Sequence, residues 1–145
     1  MSPAYLLKRA NQMPQILIID DDDGLRRVLG QILVRAGYIV AEAVDGRQGL
    51  STFRKTPVDL VICDLIMPDQ EGLETISVLR KEFPAVKIIA ISGGARVTGY
   101  DFLPAATGLG ANVALPKPFT REQILESVER LIGPAGVNSL TPESV

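Results

Sequence analysis

Strand-like and helix-like segments alternate five times along this chain, and that order constrains its fold more than any other feature. Four short apolar runs read as strands: Ile16 to Ile19, Val58 to Cys63, Val86 to Ile91 and Val113 to Leu115, with a weaker, more mixed fifth at Tyr38 to Ala43. They are rich in Ile and Val and nearly continuous, a pattern that suits parallel strands covered on both faces. Between them the apolar spacing changes to three and four. Leu25, Val28, Leu29, Ile32 and Leu33 make one stripe, stopped by Gly37. Gly49, Leu50 and Phe53 mark a second helix before Pro57, and Leu73, Ile76, Leu79 and Arg80 a third before Pro84. The last, Phe119 to Ile132, turns Ile124, Leu125, Val128 and Leu131 inward and ends at Gly133 and Pro134. Glycines and a proline crowd the stretch before the fifth strand, which predicts a loop over Gly93–Tyr100 and a short helix over Phe102–Leu109. The fold class implied is α/β, a five-stranded, doubly wound parallel sheet with helices on both faces.

A chain of 145 residues, 46% apolar, is about the size of one ordinary domain. The expected division is an N-terminal arm over residues 1–13, a folded domain over 14–132, and a mobile C-terminal tail over 133–145. The formal charge of −2 offers no net basic field for nucleic acid or an anionic membrane, so neither is an expected partner. The single cysteine, Cys63, excludes an internal disulfide framework. No apolar run approaches the roughly 18 residues of a membrane span, which makes a cytoplasmic location the expectation. Histidine is absent, so any phosphohistidine must belong to another molecule.

In open parallel sheets, ligands sit beyond the carboxyl ends of the strands. Those ends carry Asp20 to Asp23 on the first strand, Asp64 on the third, Ser92 on the fourth, and Pro116, Lys117 and Pro118 on the fifth. Clustered carboxylates repel unless a hard cation lies among them, and Mg2+ takes one or two carboxylates while keeping waters and phosphate oxygens. Asp20 and Asp21 are the metal carboxylates on this reading. Asp64 is then a nucleophile toward a phosphoryl group whose charge the metal, Lys117 and Ser92 offset. Each residue taken alone has a plainer reading. Asp22 and Asp23 suit a helix cap or first turn, Asp64, Ser92 and Lys117 suit turns, and Cys63 suits the core. Their joint placement on successive strand ends favours a site.

The motifs resemble the response-regulator receiver family, whose best-known member is the chemotaxis regulator. Ile16-Leu-Ile-Ile-Asp20-Asp21 is similar to its first strand with an acidic pair. Val58 to Pro68 resembles the phosphoacceptor strand and its Met-Pro turn, with Gly72 at the usual place. Ile88 to Gly93 resembles the hydroxyl strand, and Lys117-Pro118-Phe119 the family's Lys-Pro-Phe, where the lysine to proline peptide is usually cis. The resemblance covers about Gln15 to Ile132 and implies strand order 2-1-3-4-5. It implies Mg2+ on Asp20, Asp21, Asp64 and the backbone carbonyl of Ile66, with Ser92 and Lys117 contacting the phosphoryl group on Asp64. It further implies a donor that is a sensor histidine kinase or a histidine phosphotransfer protein, and a downstream protein, not specified by the sequence, that reads a switched binding surface. No enzyme activity is expected beyond self-catalysed phosphoryl transfer and autodephosphorylation. One departure is Ala114, where the family often carries an aromatic residue. Alternatives are a pseudo-receiver that signals without phosphate and a phosphatase of the haloacid dehalogenase type. The latter resembles Asp-x-Asp and would place an acid where Ile66 stands.

Overall fold

A computed structural model describes residues 13–67, 71–93 and 101–135. The strands are β1 (Gln15–Ile19), β2 (Ile39–Ala43), β3 (Leu60–Asp64), β4 (Lys87–Ser92) and β5 (Val113–Pro116). Among the described residues the helices are α1 (Asp23–Arg35), α2 (Gly46–Lys55), α3 (Glu71–Glu82), α4 (Leu103–Leu109) and α5 (Arg121–Ile132). All strand pairs are parallel, in the order β2-β1-β3-β4-β5. The alternation read from the sequence therefore becomes the doubly wound sheet it implied.

Because side chains alternate across a strand, each central strand feeds two cores. Leu17, Ile19, Val61, Cys63, Ile88 and Ala90 face one way and pack with Phe53, Ile76, Leu79 and Ala106 from α2, α3 and α4. Ile16, Ile18, Leu60, Ile62, Ile89 and Ile91 face the other way, onto Leu29 and Leu33 of α1 and Ile124 and Val128 of α5. Burial on both faces explains why these strands lack apolar-polar alternation. β2 is an edge strand with Ile39 and Glu42 exposed, which accounts for its mixed sequence.

The helix starts follow from side-chain oxygens that satisfy orphan backbone donors. Asp22 accepts from Leu25 N at 3.1 Å, Asp45 from Gln48 N at 2.8 Å, and Thr120 and Gln123 form a reciprocal capping box. At the far end of α3, Arg80 clamps the corner between α4 and β5. Its guanidinium donates to Gly110 O at 2.9 Å, Asn112 Oδ1 at 3.0 Å and Pro84 O at 2.7 Å.

Three expectations need adjustment. Val28, expected on the inward stripe of α1, is 53% exposed, because Leu29 and Leu33 take the sheet-facing positions. The tail does not leave the fold at residue 133. Tyr38 Oη donates to Gly133 O at 2.9 Å and Ala135 is buried in the α1 and α5 core. The short helix begins one residue later than expected, at Leu103, with Pro104 in its first turn. Most of the expected loop, residues 94–100, lies outside the described residues, as do the arm over 1–12, Pro68 and the tail from 136.

Candidate phosphoacceptor site

The carboxyl edge of the sheet gathers the strand-end residues as expected. β1 and β3 are neighbours, with Ile19 beside Cys63, so Asp20 and Asp64 emerge side by side. Asp20 and Asp64 are buried and Asp21 is exposed, and each of the three places a carboxylate oxygen within 4.8 Å of the others. β5 brings Lys117, whose Nζ lies 3.5 Å from Asp64 Oδ1 and 3.9 Å from Asp20 Oδ2. β4 brings Ser92, paired in register with Pro116 and 4% exposed. The peptide between Lys117 and Pro118 is cis, as the resemblance implied. Ile66 follows at half burial, its N–H donating to Asp64 Oδ1 at 3.2 Å.

Electrostatics mark the two buried carboxylates, Asp20 and Asp64, as costly to hold ionised. Burial, and then the charge of Asp20, push Asp64 up to about 6, although Lys117 and the Ile66 N–H pull the other way. Asp20 is likewise raised by burial and by Asp21 and Asp22, against the Asp22 N–H and Lys117. Cys63, next along β3, is fully buried, and burial pushes its thiol far up, so it stays protonated as a core residue.

A divalent cation fits this donor set. Asp20 Oδ1 accepts from Asp22 N at 2.9 Å, but its buried Oδ2 has no hydrogen-bond partner. A buried carboxylate oxygen that accepts no hydrogen bond, beside two other carboxylates, is the arrangement a hard cation relieves.

Asp22 and Asp23 play the plainer roles set out for them: Asp22 caps α1, and Asp23 forms a first-turn ion pair with Arg26 at 2.6 Å. Arg26 itself was not singled out from the sequence, yet it touches the site directly. Nη1 donates to the carbonyl of Asp20 at 2.6 Å, and Nε donates to Glu42 at 2.9 Å. The signal available was a base three residues after an acidic run, but its bond to Asp20 is tertiary.

The sequence profile described as "Response regulator receiver domain" matches residues 16–129. The chain belongs to this family. The receiver is 35% identical over 139 residues to a probable transcriptional regulator ycf27 from Porphyridium aerugineum, a match that spans 92% of this chain and 55% of that protein. It is 31% identical over 119 residues to the chemotaxis protein CheY of Thermotoga maritima, covering 81% of this chain and 96% of that one. Its backbone is similar to the crystal structure of a CheY-like receiver domain protein from Methanospirillum hungatei, with TM-score 0.73 and 29% identity over 82% of this chain and 93% of that one. Relatives range from 12% to 99% covered, so the chain is often matched to one part of a longer protein. No helix among the described residues is long and apolar enough to cross a membrane.

The carboxylate assigned the metal role can be tested without disturbing the fold. Asp21→Asn is expected to weaken Mg2+ binding about tenfold while leaving the metal-free melting temperature unchanged or slightly raised, because it removes like-charge repulsion from an exposed position. Isothermal titration and thermal melts check both, and an unchanged affinity contradicts the assignment.

Proposed function

We propose that this receiver accepts a phosphoryl group on Asp64 from a phosphohistidine of a partner protein, a sensor histidine kinase or a histidine phosphotransfer protein. The observation that carries this reading is Asp64 at the end of β3, buried between Lys117 at 3.5 Å and the carboxylates of Asp20 and Asp21, with Asp20 Oδ2 buried and without a hydrogen-bond partner. Mg2+, held by Asp20, Asp21, Asp64 and the Ile66 carbonyl, would neutralise charge on the transferred phosphoryl oxygens.

The chain's own residues supply the rest. With Oδ1 engaged by the Ile66 N–H and Lys117, Oδ2 of Asp64 acts as the nucleophile. A new oxygen to phosphorus bond forms as the nitrogen to phosphorus bond of the donor breaks, its electron pair returning to the imidazole. Lys117 pairs with the incoming phosphoryl and the Ser92 hydroxyl donates to one of its oxygens. Such transfer needs positioning and charge more than proton shuttling, which suits a site without histidine. The result would be read by a downstream protein at a binding surface near Ser92.

Incubation with Mg2+ and a small phosphodonor, read by intact mass, tests the reading. One added phosphoryl, absent in Asp64→Asn, supports it, and no addition to the parent would leave the pseudo-receiver reading in its place.

The donor's approach has a structural candidate. An apolar groove of about 490 Å3 runs between α1 and the segment after β5, lined by Leu25, Val28, Leu29, Ile32, Pro118 and Phe119, with Lys117 also on its wall. Its continuity with the site makes the phosphohistidine protein its occupant on this reading. Val28→Asp is expected to slow transfer from such a protein at least tenfold while leaving the rate with a small phosphodonor within about twofold, since Val28 is exposed and is not one of the residues assigned to the chemistry. Equal slowing with both donors would place Val28 in the site's own integrity and not in recognition.

A further inference from the structure

The geometry points to Arg26 as a positioning residue for the metal carboxylates. This inference rests on the Mg2+-dependent reading above and assigns a role to a side chain outside the ligand set.

Asp20 is the first residue beyond β1, and it is fully buried. Its N–H still bonds across to Ala43 O at 3.1 Å, but the ladder ends there and its carbonyl is left inside the protein. A buried carbonyl needs a donor. Arg26, one turn into α1, supplies it at 2.6 Å.

Arg26 spends each of its three nitrogens on a different element. Nη1 holds the end of β1, Nε holds Glu42 on the edge strand β2 at 2.9 Å, and Nη2 holds Asp23 in the first turn of α1 at 2.6 Å. The side chain is only 12% exposed, while the carboxylate partners are 74% and 45% exposed, so the guanidinium lies on the inner side of these pairs. A planar fork with separated donors can do this, and a single ammonium cannot.

The consequence falls on the ligand atoms. Asp20 is held at its N–H by β2, at its carbonyl by Arg26 and at Oδ1 by the Asp22 N–H. What accepts no hydrogen bond is Oδ2, which faces Lys117 Nζ at 3.9 Å. Releasing the carbonyl would let the turn from Asp20 to Asp22 rotate toward another donor or water, and both metal carboxylates ride on that turn.

Charge and position predict opposite signs, which makes the inference testable. Arg26 is a cation beside a cation site, so if it acted only by charge, its removal would tighten Mg2+ binding and Arg26→Lys would change nothing. If it positions the turn, both Arg26→Gln and Arg26→Lys weaken binding. The experiment is a titration of the whole chain with Mg2+ alone, followed by amide shifts of Asp20 to Asp23 and Asp64, with thermal melts in the absence of metal. The control is Tyr38→Phe, which loses the bond to Gly133 O at the other end of the sheet and lowers stability without touching the site.

We expect at least threefold weaker Mg2+ affinity in both Arg26 variants and parent affinity in Tyr38→Phe, even where its melting temperature falls as far as theirs. Weakening of less than threefold in Arg26→Lys, or tighter binding in Arg26→Gln, overturns the inference. So does loss of cooperative folding in either variant, which would make Arg26 a support of the fold and not of the site. A parent that binds no Mg2+ overturns the metal reading itself, and this inference with it.

Discussion

Asp64→Asn is expected to abolish phosphoryl acceptance and, in the same molecule, to raise the melting temperature of the metal-free protein. The first effect follows from chemistry, since an amide cannot form the acyl phosphate. The second follows from the sign of the perturbation. Burial and the neighbouring Asp20 hold Asp64 at about 6, above the roughly 3.9 of an unfolded aspartate. A carboxyl raised on folding is a cost that is fully present above its folded value and disappears as pH falls through it toward the unfolded one. Metal-free parent should therefore lose this handicap between about pH 7 and pH 4, a trend opposite to that of a salt-bridged aspartate. At pH 7.5 the variant should melt roughly 3 to 6 °C higher, the equivalent of about 1 to 2 kcal/mol, and the gap should close by about pH 4. Lys117 does not lose all company in the variant, because Asp20 Oδ2 remains 3.9 Å from it. Mg2+ should stabilise the parent more than the variant. Calorimetric scans at several pH values, with and without Mg2+, check this, and a variant that melts lower than the parent at pH 7.5 contradicts it.

The sheet and its windings were legible in the sequence because central parallel strands buried on both faces have no choice but continuous apolar runs, and β1, β3 and β4 are such strands. Asp20, Asp64, Ser92 and Lys117 were legible for a topological reason: once strand ends are known, their neighbours in space are known too. What escaped was whatever depends on a third partner. Val28 has the spacing of a core residue, but a helix laid on a sheet buries a narrow face, and Leu29 and Leu33 already fill it. Arg26 looks like an ordinary surface base until its reach to the Asp20 carbonyl is seen. Ala135 sits in a stretch with the composition of a tail, yet Tyr38 ties Gly133 down and draws it into the core. Gly72 was noted only as part of a motif, and its reason is steric.

Gly72 is the second residue of α3, and replacing it with alanine is expected to cost about 3 kcal/mol, the upper end of what overpacking imposes. A Cβ built there would collide with the carbonyl oxygen of Asp64 and lie 2.7 Å from Leu65 Cα and 3.1 Å from the Asp64 carbonyl carbon. All three are backbone atoms, so no side chain can swing away. The backbone itself is pinned, with Leu65 N bonded to Ile91 O at 2.9 Å and Ile66 N to Asp64 Oδ1 at 3.2 Å. Relief must come from α3 lifting off β3, or from the loop after Asp64 moving with it. Either response reaches the site, so Gly72→Ala should also weaken Mg2+ binding, unlike a destabilising change in the distant core. Gly108 in α4 is the control, because a Cβ there meets nothing within 4 Å and alanine should be neutral or stabilising by a few tenths of a kcal/mol. Denaturant unfolding of the two variants would show a difference of roughly 3 kcal/mol between them. Were Gly72→Ala as stable as Gly108→Ala, the close approach of α3 to the loop after Asp64 would not be what requires glycine at this position.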